Sequence, residues 1–350
     1  MKKVGILLLL LMFGVVIAGC IEQTQTTSTI TKTITTTKTI TKTITETVEE
    51  KMTPSATTPI SETQTSPSKY PLKIVDFAGR EVTIEEEPQR IVSLAPSITE
   101  TFYFIGALDK VVGVTKFDNY PENVQEGRTV IGGFSDPNIE IIASLNPDLI
   151  VGTSMHLKYL DQLEKIAPVV IIDPKSIGDI YKAVELLGRI TSKEEKAKDV
   201  VAEMKDKIEE IRSKVQNMPE VKVFYIVWSD PLMSAGNGTF INDLITLAGG
   251  ENIFKDTQGW PQVSVEEVLT RNPEVIILPP HAGISAEDLC NTQLVNTDAM
   301  KNGKVYTLSS DDIVSRPTPR IVEGLEEIAK FLHPDLFNFQ YQPLTCEATS

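Results

Sequence analysis

Three groups of side chains have the type and spacing to do chemistry. Glu140, in PNIE, and Glu266, in SVE, stand 126 positions apart at the starts of matched segments. Two carboxylates flanking one bond serve as acid and base in glycoside hydrolysis; two on equivalent surfaces suit docking onto a two-fold partner. Each also fits the first turn of a helix, where an acid complements the dipole. His156, in VGTSMH, and His281, in ILPPH, follow matched strands. Facing each other, they would offer imidazole to iron or cobalt; two unshared loop histidines are the plainer reading. His333 falls in a tail helix and reads as a surface residue. Glu100 closes SLAPSITE, where Ser97 and Glu100 have the spacing of a capping box.

No GxSxG elbow, GxxxxGK[ST] loop, HExxH or GxGxxG is present, so the familiar enzyme motifs are missing. AGNGT, 235 to 239, has the wrong glycine spacing for a dinucleotide and reads as a strand-to-helix loop. A net charge of −15 without a basic stripe argues against nucleic acid.

The elements that position these groups follow an α/β pattern from about residue 72. Apolar runs at 90–94, 111–114, 148–152 and 169–172 alternate with helical stretches, and the pattern resumes at 221–228, 275–278 and 305–308. This implies parallel strands with crossover helices. Between the two sets, Ala197, Val201, Met204, Ile208, Ile211 and Val215 mark one face of a long amphipathic helix over 191–217. Thr191 and Glu194 have capping-box spacing at its start.

The two sets also repeat one unit. Asn138 and Ser264 are caps followed by an apolar residue and a glutamate, and Asn146-Pro147 matches Asn272-Pro273 before a buried strand, all at an offset of 126. The expected fold is therefore α/β, with two Rossmann-like lobes built on central parallel sheets. The lobes (72–190 and 218–340) are joined by one long rigid helix (191–217), with a ligand cleft between them and a tail at 341–350.

Ahead of the lobes, Met1-Lys2-Lys3 and the apolar run 4–17 form an export signal over residues 1–20. Its end, Ile17-Ala18-Gly19-Cys20, resembles the lipobox of prokaryotic lipoproteins, which makes Cys20 the lipidation site and ties the chain to the outer face of the cytoplasmic membrane. Residues 21–70 hold 19 threonines and no glycine, and read as a disordered stalk. Cys290 and Cys346 remain as an even pair, a plausible disulfide in an oxidising compartment.

GGENIFKDTQGWPQVSVEEVL, together with IVSLAPSITE, NPDLIVG and SRPTPRIVEGL, resembles the substrate-binding proteins of ABC importers for cobalamin and iron-siderophores, over about residues 72 to 335. The resemblance implies a monomer without a catalytic step or a cofactor, holding a corrinoid between its lobes and delivering it to a permease dimer with ATPase subunits. It assigns Glu140 and Glu266 to permease arginines. It places Phe117, Phe134 and Trp260 on the ligand, with Asp311 and Arg316 at the corrin amides in a loop one residue longer than the family's. Thr153 and Met233 stand where the family carries aromatics, and Trp228 is a substitute for them. Haem or a ferric siderophore is the alternative cargo; a glycan-acting surface enzyme is the alternative of another class, and an adhesive domain on the stalk a weaker third.

Overall fold

The computed structural model describes residues 69–346. The leader, Cys20 and the stalk as far as residue 68 lie outside the described residues, as do the last four of the tail. Tyr70, at the expected end of the stalk, already belongs to the folded body, where its hydroxyl donates to the Ile190 carbonyl at 2.7 Å. Among the described residues, no helix is long and apolar enough to cross a membrane.

The first lobe opens with an antiparallel hairpin, β1 (Leu72–Val75) and β2 (Glu81–Ile84). Its central sheet is parallel and contains β3 (Ile91–Ser93), β4 (Val111–Val114), β5 (Thr129–Val130), β6 (Leu149–Gly152) and β7 (Val169–Ile171), in the order β5-β4-β3-β6-β7. Helices α1 (Pro96–Phe104), α2 (Ile139–Ser144), α3 (Leu160–Leu163) and α4 (Ile177–Ile190) complete it. Alternate strand residues divide between two cores. Ile91, Leu149 and Val151 pack with α1 and α4, whereas Val92 and Ile150 pack with Ile142 of α2 and Leu163 of α3. Strands buried on both faces must be apolar throughout, which is why they read as unbroken hydrophobic runs.

α5 (Glu194–Val215) leads to the second lobe. Thr191 does not start it. That hydroxyl donates to Leu187 at the end of α4, and Glu194 pairs with Lys69 instead of closing a capping box. In the second lobe, β8 (Val221–Tyr225) precedes a small hairpin, β9 (Trp228–Ser229) and β10 (Leu232–Met233), so the expected single strand 221–228 is broken before Trp228. β11 (Gly250–Asn252), β12 (Val275–Leu278) and β13 (Val305–Thr307) join β8 in a parallel sheet of order β11-β8-β12-β13. The helices here are α6 (Phe240–Leu247), α7 (Val265–Arg271), α8 (Asp298–Lys301), α9 (Asp312–Ser315) and α10 (Ile321–Leu332). One face of this sheet shares a continuous core with α4, α5, α6 and α10, which welds the lobes along the helical side.

Both sheets thus contain the same four-strand order, β4-β3-β6-β7 matching β11-β8-β12-β13. The repeated corner shares its backbone turn and its bond to the neighbouring strand. Asn146 and Asn272 both adopt positive φ, and the acid that follows each Asn-Pro reaches the neighbouring strand: Asp148 accepts from the Arg90 amide and Glu274 from the Lys222 amide. Cys290 and Cys346 form a disulfide with Cα atoms 5.4 Å apart, and the Leu344 amide donates to Gly303 at 3.0 Å. His333 is buried beneath Gly249, not on the surface, because α10 packs its last turn against α5 and β11.

Candidate functional site

A cavity of about 500 Å³ opens between the lobes. The first lobe supplies segments that follow its strands: Ala95 to Ser97 after β3, Phe117 after β4, Thr153 to Met155 after β6, and Ile172 to Lys175 after β7. Parallel α/β sheets gather ligand sites at these strand ends. The second lobe supplies Gly238, Thr239, Phe240, Gly259, Trp260 and the Ser315-Arg316-Pro317 turn. Gly238 and Gly259 both have positive φ, 76° and 65°, so the loops carrying them bend without strain and leave bare backbone in the wall.

Aromatic surface faces the cavity from both sides. Phe117 is 52 % exposed and Trp260 45 %, large values for rings in a folded protein. Trp260 meets Phe240 edge-on at 6.1 Å, which holds the indole upright. Phe240 was not singled out from sequence; the signal was available in NGT, whose Thr239 caps α6 and sets Phe240 at the helix start beside the cavity.

Of the eight expected ligand contacts, Phe117, Phe134, Thr153, Trp260 and Arg316 line this cavity. Trp228, Met233 and Asp311 are outside its lining. Trp228 is held in the small hairpin, its indole N–H donating to the Asp230 carbonyl at 2.7 Å. Met233 pairs with Trp228 across that hairpin, and the carboxylate of Asp311 contacts the His281 ring.

The histidine pair does not assemble. His156 is wholly buried: its Nδ1 accepts from the Thr153 amide at 2.9 Å, so its Nε2 carries the proton and donates to the Phe134 carbonyl at 2.8 Å. It thereby braces two wall residues, and burial pushes its pKa below the usual imidazole value. His281 is exposed against Asp311. No group of three metal-ligating side chains occurs among the described residues.

Charge in the wall is compensated. Lys175 pairs with Asp173 at 2.9 Å. Arg316 donates to Glu100 at 2.6 Å and pairs with Asp312 at 2.8 Å. Glu100 is no capping residue. Ala95 is the cap of α1, and the Glu100 side chain, 1 % exposed, is turned toward the second lobe. Glu140 and Glu266 are exposed in the first turns of α2 and α7, and neither lines the cavity. Ser264 and Glu267 form a reciprocal capping box, which occupies Glu267 and not Glu266.

Two Rossmann-like α/β lobes around one aromatic-walled cavity define a two-lobed solute receptor. The chain belongs to the periplasmic binding protein family, whose profile matches residues 91–311. It is 34 % identical over 77 % of its length to the uncharacterized ABC transporter substrate-binding lipoprotein YvrC of Bacillus subtilis, covering 87 % of that protein. It is 29 % identical to a vitamin B12-binding protein of Vibrio vulnificus, over 71 % of this chain and 92 % of that one. Among solved structures, the periplasmic vitamin B12-binding protein BtuF of Vibrio cholerae superposes with a TM-score of 0.61 at 27 % identity, over 73 % of this chain and 99 % of that one. A periplasmic solute-binding protein of Staphylococcus epidermidis gives 0.65 at 32 %, over 71 % and 100 %. The chain is thus related to the extracytoplasmic substrate-binding components of ABC transporters.

Proposed function

We propose that this chain captures a corrinoid between its lobes and delivers it to an ABC permease, held at the outer face of the cytoplasmic membrane by lipid on Cys20. The observation that carries this reading is the pairing of aromatic walls with compensated charge. A large flat macrocycle buries its faces against Phe117, Phe134, Phe240 and Trp260 at little conformational cost. Its amide rim calls for hydrogen-bond partners, not counter-charges, and Ser97, Thr153, Ser154 and Ser315 supply hydroxyls while Arg316 retains only its Nε–H beyond the bonds it makes within the protein. Glu140 and Glu266 are the docking carboxylates, one per lobe at the same point of the repeated unit. The absence of Glu140 and Glu266 from the cavity lining counts against the pair as acid and base acting on one bond there.

A second reading keeps the receptor and changes the cargo to haem or a ferric siderophore. It is favoured by Met155, exposed in the cavity wall, whose thioether is a ligand for haem iron. Titrating the full chain separately with cyanocobalamin, hemin and a ferric hydroxamate, while following tryptophan fluorescence, decides between them. Saturable quenching by cyanocobalamin is expected. A response to hemin alone, with a shifted Soret band, would transfer the assignment to haem, and no response to any of the three would overturn both.

A further inference from the structure

We infer that Glu100 is a positioning residue, a buried carboxylate of the first lobe that clasps the second and fixes the Arg316 guanidinium in the cavity wall. The geometry stands on its own, whatever ligand the cavity takes. Both carboxylate oxygens of Glu100 are engaged from the other lobe. Oε1 accepts from Arg316 Nη1 at 2.6 Å, with Arg320 Nη1 at 3.7 Å; Oε2 accepts from the Thr318 hydroxyl at 3.1 Å.

The second lobe reaches back from the same points. Arg316 also donates to the Asn119 side chain at 2.6 Å and to the Phe117 carbonyl at 3.2 Å. The Asn119 amide donates to Asp312 at 2.9 Å, and the Arg320 guanidinium lies 4.1 Å from the centre of the Tyr120 ring. Phe117 and Arg316 therefore meet the ligand space and each other across the lobe boundary.

A carboxylate taken out of water is costly unless its oxygens are fully paired, and a buried ion pair seldom stabilises a fold better than apolar side chains would. What such a pair supplies here is orientation. The planar guanidinium has several donors in fixed directions, and three first-lobe acceptors with one second-lobe carboxylate use them. Arg316 can then sit in only one attitude, and the two sides of the cavity are fastened at the ligand site as well as along α5.

Hydrogen exchange on the ligand-free full chain tests this. In Glu100→Gln, amides of residues 116–120 and 312–318 are expected to exchange about tenfold faster, with β3, β6, β8 and β12 unchanged. Unaltered exchange at both segments, or an increase spread evenly over the chain, would overturn the clasp. Should Glu100→Gln not fold, Thr318→Val removes the hydroxyl that donates to Glu100 and accepts from the Arg320 amide, at nearly constant volume. It is expected to speed the same two segments by a smaller factor, and an even or absent response again overturns the inference. Affinity for cyanocobalamin is a separate arm, expected to fall about tenfold in Glu100→Gln. A wild-type chain that binds no corrinoid would sink the proposed cargo, while the exchange result would still decide the clasp.

Discussion

Asn146 and Asn272 turn the same corner in the two lobes, each at the end of a short helix and each left-handed, with φ of 46° and 45°. Both precede a proline and an acid, and both deliver the chain into a strand buried on two faces. Asparagine tolerates this conformation because its short polar side chain can offset the Cβ conflict with hydrogen bonds close by. The two are not equal in what their side chains do. Asn272 exchanges two hydrogen bonds of 2.9 Å with Asp298, whereas Asn146 reaches only the Ser144 carbonyl, at 3.3 Å.

Replacement of these asparagines should reveal that asymmetry. Asn146→Gly is expected to be close to neutral in urea unfolding, while Asn272→Gly loses about 1–2 kcal/mol with its Asp298 bonds. Valine at either position should cost more than glycine there, because a β-branched side chain is poorly accommodated at positive φ.

Neighbouring glutamates at the start of α7 should separate docking from capping. Glu266→Ala, at an exposed position, is expected to leave stability within about 0.5 kcal/mol. Glu267→Ala removes the carboxylate that accepts from the Ser264 amide and hydroxyl, while the Ser264 hydroxyl still caps the backbone amide of residue 267, and should cost about 1 kcal/mol. In a reconstituted transporter, Glu140→Ala/Glu266→Ala should abolish uptake while ligand binding by the isolated protein stays intact. Unimpaired uptake would remove both residues from the docking surface.

The two tryptophans should respond differently to ligand. Trp260→Ala is expected to weaken cyanocobalamin binding by about 2 kcal/mol, roughly thirtyfold in Kd, with little loss of stability. Trp228→Ala should leave affinity within about twofold, because that ring is outside the cavity lining. Equal losses would mean that the hairpin closes over the ligand.

Stability should fall on acidification through the buried imidazoles. His156 and His333 both have pKa values lowered from 6.5, chiefly by burial. Above 6.5, folded and unfolded chains are both neutral at these sites and the stability is fully present. Below it, the unfolded chain takes up protons that the folded chain resists, so stability is lost as pH falls through the lowered values. Burial raises the pKa of Glu100 and Asp118, against the pull of Arg316, and works in the opposite sense: those acids favour the folded chain more as pH falls. Urea midpoints measured from pH 7.5 to 4.5 should show the histidine loss, flattened in His333→Gln.

Reduction of the Cys290–Cys346 bond, which closes a separation of 56 residues, should cost about 4 kcal/mol. Melting curves with and without dithiothreitol measure it, and the exchange of residues 341–346 should rise first.

Much of the architecture was legible in the sequence because its causes are local. A strand buried on both faces must be an apolar run, and Val111–Val114 and Val275–Leu278 fell where such runs predicted. The repeat was visible because one corner needs one set of residues, Asn-Pro and an acid. Local spacing misled where two chemistries share it. Ser97 and Glu100 have the positions of a capping box, and so do Thr191 and Glu194, but in both cases the acid found a better partner far along the chain. Phe117, Phe134, Thr153, Trp260 and Arg316 of the eight expected ligand contacts line the cavity, whereas Trp228 and Met233 sit in a hairpin and Asp311 meets the His281 ring, contacts that no pattern announced.

The sequence by itself determined two α/β lobes, their repeated unit and the long helix between them, because periodicity, punctuation and burial act over a few residues at a time. Only the tertiary structure decided which aromatics look into the cavity, that both ring nitrogens of His156 are taken up by wall residues, and which groups meet Glu100. Its partner Arg316 is 216 residues away, and at that separation a carboxylate's role depends on which guanidinium the folded lobes bring to it.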